Sequence, residues 1–311
     1  MPHAPLIIVN PTAGGGRALR LIPWIRERLE ARPDVVLRVT TRAGEAEELS
    51  ANAARDGHDR VVAVGGDGTV QEVVNGLLTA DDPAELGVVP VGTGNDLARS
   101  LGLPDDPAAS WTIAIGRGVR PLDVARATNG QGRVRWFASA GGIGFDAQVA
   151  AAMATRSGWQ AGRAGYLLTT FSELRRFENR AVRMVIDGVT HDRSVLLIAI
   201  ANGEYYGGGM RIAPGASPRD GRLDICVVGD ISRMAAVGQL RNLYRGTHVD
   251  HPAVSMHSGT ELSIDGNDAT RIHLDGEPFG SLPLRVTIAG GALSVAAPVA
   301  SDGSGAVGSD R

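Results

Sequence analysis

Three short stretches of this chain place glycine, hydroxyl and carboxylate groups where a phosphate and a hard cation could be held. The densest is Gly65-Gly66-Asp67-Gly68-Thr69, continuing through Val70, Gln71 and Glu72. Its glycines remove side-chain bulk, so backbone N–H groups can approach an anion closely. Asp67 is an oxygen donor suited to Mg²⁺, directly or through water. Thr69 can cap the following helix or donate to a phosphate oxygen. A plain strand-to-helix turn accounts for the glycines, but not for an acid beside a threonine at a helix start.

The other two stretches repeat the theme. Asn10-Pro11-Thr12-Ala13-Gly14-Gly15-Gly16-Arg17 leads from an apolar run into a helical pattern, and Arg17 could add a charge-assisted contact to a phosphate. No Gly-Lys-Ser/Thr follows, so it is not a Walker loop. Taken alone, it reads equally as a tight turn. Gly92-Thr93-Gly94-Asn95-Asp96 again ends a strand in glycine and threonine. Asp96 is either the helix N-cap or a group close to metal or substrate. Far downstream, Asp275-Gly276-Glu277 offers two carboxylates on one turn. They suit the orienting or deprotonating work of phosphoryl transfer, yet Asp-Gly is also the strongest type I′ hairpin signal.

The elements that must position these groups follow two rhythms. Up to about residue 120, apolar strands at 6–9, 35–39, 60–64 and 86–91 alternate with helices at 17–32, 44–56 and 70–78. That β-α-β-α order predicts a doubly wound, Rossmann-like α/β domain over 1–120. Ligands bind such sheets at the carboxyl ends of the strands, and the three glycine loops follow strands one, three and four. From 121 to 299 short strand-like runs separated by turn residues predict an antiparallel β-sandwich, interrupted by helices at 147–177 and 232–244. The Ser/Gly/Asp-rich tail 300–311 reads as disordered.

The bulk composition excludes several classes. Net charge is −3 and no polybasic run is present, so the chain lacks the electrostatic footprint of a duplex nucleic-acid binder. The single cysteine, Cys226, cannot form an internal disulfide and sits in an apolar run, which points to a buried structural thiol and a reducing cytoplasm. The seven histidines lack metal-ligand spacing, and no zinc site is assigned. No apolar run approaches the roughly 20 residues of a membrane span, so no transmembrane segment is expected. Nothing in the sequence chooses between a monomer and a homodimer.

With the three loops in this order, the sequence resembles the diacylglycerol kinase catalytic-domain family, which takes in bacterial diacylglycerol and related lipid kinases and the sphingosine and ceramide kinases. Gly65 to Thr69 matches the family's GGDGT loop, and Asn10 to Gly14 and Gly92 to Asp96 match its other two. The likeness continues through Gly141-Gly142-Ile143-Gly144-Phe145-Asp146, Ala213-Pro214, Asp220 to Asp224, and Leu274 to Glu277. It implies an ATP-dependent lipid kinase, with diacylglycerol as the first choice of acceptor, acting in the cytoplasm at the inner face of the membrane. ATP would contact Asn10, Pro11, Thr12, Ala13, Gly14, Thr40, the run Gly65 to Glu72, Thr93 and the neighbourhood of Asp96. A structural Mg²⁺ would fall on Ser217, Asp220 and Arg222, with Asp220 giving its side chain. The resemblance makes Glu277 the first choice of base and leaves Asp275 to orient metal or substrate. It also places an aspartate, here Asp123, at the domain junction, where a buried hinge hydrogen bond is the simpler role.

Two segments could meet a lipid. The partly amphipathic 163–176 segment, with Trp159 before it, could lie in an anionic leaflet or simply pack an apolar stripe on the sandwich, the favoured role. Glu204 to Met210, with two tyrosines and three glycines, is either the lipid mouth or a bulged hairpin. Competing functions are a soluble small-molecule kinase of the NAD kinase type and a non-catalytic nucleotide or lipid sensor. Asp67, Asp275 and Glu277 together stand against the sensor.

Overall fold

The computed structural model describes residues 5–154, 172 and 179–298. The predicted 163–176 helix apart from residue 172, Trp159 and the predicted tail 300–311 therefore lie outside the described residues.

The first half runs β1 (Leu6–Val9), α1 (Ala13–Leu29), β2 (Val36–Val39), α2 (Glu45–Ala53), β3 (Arg60–Gly65), α3 (Asp67–Leu77), β4 (Glu85–Pro90), α4 (Asp96–Ser100) and α5 (Pro107–Ala114). The strands pair in parallel in the order β2-β1-β3-β4. Both faces of β1 and β3 are buried, as helices on both sides of a parallel sheet require. Ile7, Val9, Val62 and Val64 meet Ala18, Ile22 and Ile25 of α1 and Trp111 of α5. Leu6, Ile8, Val61 and Ala63 meet Ala46 and Ala53 of α2 and Val70, Val73, Val74 and Leu77 of α3. This packing aims the starts of α1, α3 and α4 at one rim.

The second half is β5 (Val119–Asn129), β6 (Val134–Phe137), β7 (Ala140–Gly144), α6 (Phe145–Ala154), β8 (Arg180–Ile186), β9 (Val189–Val195), β10 (Leu197–Ala201), β11 (Tyr205–Tyr206), β12 (Met210–Arg211), β13 (Leu223–Val228), α7 (Arg233–Arg245), β14 (Val254–Gly259), β15 (Glu261–Gly266), β16 (Arg271–Leu274), β17 (Glu277–Ser281) and β18 (Leu284–Ala296). A six-stranded antiparallel sheet, β14-β13-β10-β7-β16-β17, packs on the antiparallel part of the larger sheet. Phe137, Met184, Ile198, Ile200, Ile225, Leu274 and Phe279 fill the space between them. On its other face Ala199, Cys226 and Val228 pack against α7 and the small β11–β12 hairpin. Cys226 is buried there and its thiol is pushed up to about 12 by desolvation, so it is the inert structural cysteine expected.

The two halves share strands. β18 pairs along its length with β5, and a bulge between Ala289 and Leu293 carries its end to β4, where Val295 pairs with Leu86. Residues 284–296, which the turn-separated pattern would divide at Gly290 and Gly291, form one bulged strand in a continuous ten-stranded sheet. Four strands escape pattern reading, each for a physical reason. β7 is glycine-rich because its neighbours press on it: a Cβ on Gly141 would lie 2.8 Å from Leu274 Cδ2. β9 is largely exposed, and β14 and β17 are edge strands, so none needs an apolar alternation.

Candidate active site

The three glycine loops meet at the carboxyl end of the parallel strands and are tied together by their own atoms. A Cβ on Gly14 would stand 2.1 Å from the Val91 carbonyl oxygen, and one on Gly92 would stand 2.5 Å from Gly66 Cα. Only glycine permits such backbone contact, and Gly14 also has φ 61°. Asn10 Nδ2 donates to Thr69 Oγ1 at 3.0 Å, while Asn10 Oδ1 accepts from the N–H and hydroxyl of Thr12. Arg17, expected to reach a phosphate, instead donates to the carbonyls of Gly14 and Gly92 at 3.3 and 2.6 Å. Thr69 is buried and does not cap α3, whose N-cap is Gly66.

Two acids lock the second loop to the third. The Asp67 oxygens accept from the N–H groups of Asn95 and Asp96, both at 2.7 Å. Asp96 in turn accepts from Gly208 and Gly209 at 2.9 and 2.8 Å. Asp96 is thus not the N-cap of α4; Asn95 holds that position with φ 56°. Burial raises Asp67 above the usual carboxylate range, and burial together with the Asp67 charge raises Asp96 to about 6. The chain from Asp67 ends on the Gly207-Gly208-Gly209 turn, where all three glycines have positive φ. That turn closes the β11–β12 hairpin, in which Tyr206 is buried, and Tyr205 lies between Arg99 and Arg211. Of the two tyrosines, only Tyr205 is therefore partly open to solvent.

Opposite the glycines stands the Asp275-Gly276-Glu277 turn. It is a hairpin, with Leu274 paired to Glu277 and positive φ at both Asp275 and Gly276, so the turn chemistry and the carboxylate pair coexist. The two acids have different surroundings. Asp275 is turned inward and accepts from the N–H groups of Ala138, Ser139 and Ala140 at 2.9 to 3.0 Å. Burial raises it to about 6 despite those donors. Glu277 is exposed, and its Oε1 lies 3.8 Å from where a Cβ on Gly68 would be. Glu277, but not Asp275, lines a cleft of about 320 Å³ together with Gln71, Glu72, Arg133, Arg135 and Phe279.

The remaining expected nucleotide residues are divided. Gln71 is buried and donates to the Leu274 carbonyl at 2.8 Å, bridging the halves beside the turn. Glu72 accepts from the N–H groups of Gly44 and Ala46 at the start of α2. Val70 packs in the core, and Thr40 ends β2 hydrogen-bonded to the Val9 carbonyl. Thr93 faces a different cleft, of about 520 Å³, shared with Arg17, Arg20 and Arg99. Ser217, Asp220 and Arg222 lie on a separate loop. There Asp220 Oδ1 accepts from the Arg222 N–H, and none of the three lines the Glu277 cleft. Asp123 holds that loop by accepting from Gly221 and Gly291 at 2.7 Å, the hinge role expected of it. Sequence reasoning missed His273 and Asp146, a buried pair directly behind the turn. The available signal was a polar residue between Ile272 and Leu274 in a buried strand.

The likeness to known proteins covers this whole arrangement. Residues 4–127 match the family described as diacylglycerol kinase catalytic domain, and residues 139–297 match the YegS C-terminal NAD kinase beta sandwich-like domain. A diacylglycerol kinase of Mycobacterium tuberculosis is 33% identical over 294 residues, covering 94% of each chain. A protein described as "Probable lipid kinase YegS-like" from Pseudomonas fluorescens is 34% identical over 281 residues, covering 88% of this chain and 90% of its own. The crystal structure of a diacylglycerol kinase from Bacillus anthracis superposes with a TM-score of 0.73 at 25% identity, over 95% of this chain and 97% of that one. On these matches the chain belongs to the diacylglycerol kinase family and is a lipid kinase.

Proposed function

We propose that the protein transfers the γ-phosphoryl group of ATP to the hydroxyl of diacylglycerol, giving phosphatidic acid. The observation that carries this reading is the exposed Glu277 carboxylate facing Gly68 across the cleft. Glu277 accepts the hydroxyl proton as the lipid oxygen attacks phosphorus, and ADP leaves. Asp275, held by three amides, fixes the turn from which Glu277 projects. Asp67, whose two oxygens already accept amides, holds the third loop in place.

The glycine rim supports a nucleotide reading, because Gly14, Gly66 and Gly92 let the three loops touch through their backbones at the carboxyl end of the parallel strands. In this reading Asn10 to Gly14, Thr40, Gly65 to Glu72 and Thr93 hold ATP, on the module 1–120. The module 121–299 takes the lipid, which enters beside the β11–β12 hairpin. The Ser217–Arg222 loop would hold a structural Mg²⁺, which would supply positive charge to order that loop, apart from the Glu277 cleft. Among the described residues no three His, Cys, Asp or Glu side chains converge. Asp220 with the carbonyls of Ser217 and Arg222 therefore suits a cation that keeps most of its waters, as Mg²⁺ does. Among the described residues no helix is long and apolar enough to cross a membrane, so the reading has the enzyme meet its lipid peripherally at the inner leaflet.

The test is transfer of label from ATP tagged at its γ-phosphate. Diacylglycerol, ceramide, sphingosine and phosphatidylglycerol are offered in mixed micelles, with NAD as a soluble competitor class. Label entering the organic phase with diacylglycerol supports the reading. Label confined to NAD would replace it with the soluble kinase, and label in another lipid would change the acceptor.

A further inference from the structure

We propose that Asp146 and His273 form a positioning pair that sets the direction of the Glu277 carboxylate. The inference rests on the reading of Glu277 as the base. In β16, Ile272 and Leu274 enter the sandwich core, so His273 points to the opposite face, toward the first turn of α6. Both members of the pair are buried, with side chains 6% and 7% exposed. Neither lines the Glu277 cleft, so neither meets a substrate there.

The hydrogen bonds have a direction. The Gly276 N–H donates to His273 Nδ1 at 3.3 Å. An amide can only donate, so Nδ1 is bare and the ring proton is on Nε2. That nitrogen lies 3.3 Å from Asp146 Oδ2, which accepts from it. The series Asp146, His273, Gly276 thus ends one residue before Glu277. Room for it exists only because residue 142 is glycine, since a Cβ there would stand 1.9 Å from Asp146 Oδ2 and 2.3 Å from His273 Nε2.

The pair acts at Gly276, between Asp275, which is held by amides, and Glu277, which is paired with Leu274. Leu274 is held by Gln71 through its carbonyl, and Asp275 by three amides through its carboxylate. Gly276 has φ 87°, carries no side chain and bends freely. Its N–H on His273 is the tether that stops this hinge from swinging Glu277 away from Gly68. An apolar side chain would fill the same space at lower desolvation cost, but it would fix no direction.

The test compares His273→Asn, His273→Gln, His273→Leu and Asp146→Asn with the wild type. An Asn amide oxygen can stand near the place of Nδ1 and accept from Gly276, whereas Gln reaches only toward Asp146 and Leu accepts nothing. Misplacing a reacting group by about 1 Å can cost about a hundredfold. Gln and Leu should therefore lower kcat at least tenfold with KM for ATP unchanged, while Asn retains most of kcat. Asp146→Asn should fall between them. Hydrogen exchange of the Gly276 amide should accelerate in Gln and Leu but not in Asn. Equal kcat in all variants, or equal losses in Asn and Leu that follow a fall in Tm, would overturn the pair. If the wild type labels no lipid, the proposed function fails instead, and exchange still decides this inference. Unchanged protection of Gly276 in His273→Leu, or in His273→Gln should Leu not fold, sinks it.

Discussion

Replacing Gly68 with alanine should separate stability from catalysis in this protein. Gly68 lies in the first turn of α3, and its backbone is helical. Among the described residues, beyond its own helix turn, a new Cβ would approach Glu277 Oε1 at 3.8 Å, an ordinary van der Waals distance. Folding therefore has no clash to absorb. Alanine in place of glycine inside a helix gains up to about 1 kcal/mol, which for a chain of 311 residues is a rise in Tm of at most about 1.5 °C. The methyl group nevertheless occupies the gap between Glu277 and the glycine rim, where the reacting groups must meet. A displacement of about 1 Å there is enough to lower kcat by about ten- to a hundredfold.

The assay pairs a thermal melt with initial rates at saturating ATP and diacylglycerol, and Gly76→Ala is the control in the same helix. A Cβ at Gly76 would lie 2.1 Å from Ser50 Oγ and 2.2 Å from the Glu47 carbonyl oxygen of α2. Backbone cannot yield cheaply, so this variant should lose about 1–3 kcal/mol while its folded fraction keeps wild-type kcat. The two variants should move in opposite directions on the two axes. If Gly68→Ala retains full kcat, transfer does not occur across the Glu277 cleft. If it melts well below the wild type, the argument from open space is wrong.

Glu277→Gln should lower kcat at least about a hundredfold while ATP binding is retained, on the scale of general-base loss; unchanged turnover removes Glu277 from the chemistry. Gly14→Ala combines a left-handed φ with a Cβ 2.1 Å from the Val91 carbonyl, and should both raise KM for ATP and cost about 1–3 kcal/mol in a denaturant melt; an unchanged KM would detach this loop from the nucleotide. Asp96 is lifted from 3.8 to about 6, so the folded state holds its proton more tightly and this group subtracts stability as pH rises through that window. Asp96→Asn should accordingly melt higher relative to the wild type at about pH 7.5 than at about pH 4.5, and a difference that stays flat across that range refutes the burial argument.

Periodicity located the parallel strands closely, because β1, β3 and β4 are continuous apolar runs that only a doubly covered sheet can bury. It failed where the reason for a residue lies in a partner distant along the chain. The glycines of β7 gave no strand pattern, and two of them, Gly141 and Gly142, admit Leu274 and the Asp146–His273 pair. The loop motifs were legible, since glycine, threonine and aspartate at strand ends are local signals. The targets of their side chains were not. Asp67 was read as a donor to Mg²⁺ and Asp96 as either a cap or a group near metal or substrate; that each accepts two amides from distant loops was not visible. The resemblance put Glu277 ahead of Asp275 as the base, and the amides of residues 138–140 that hold Asp275 add a physical difference between the two.

The Asp67–Asp96 series also explains how loops so rich in glycine can hold a shape. Glycine offers close approach at the cost of conformational freedom, which folding must remove residue by residue. Here the freedom is removed by carboxylates working in tandem: Asp67 takes the two amides that open α4, and Asp96, the second of those residues, takes two amides of the Gly207–Gly209 turn. A Cβ on Gly94 would meet Asp67 Oδ2 at 2.5 Å, so the series runs through space that only glycine leaves open. Burying two acids side by side is unfavourable, as the upward shift of both records, and four charge-assisted hydrogen bonds offset it. The consequence is that the glycine rim and the hairpin bearing Tyr205 are one rigid assembly. A lipid headgroup pressing on that hairpin would be felt at Asp67, one residue from the Gly68 that faces Glu277.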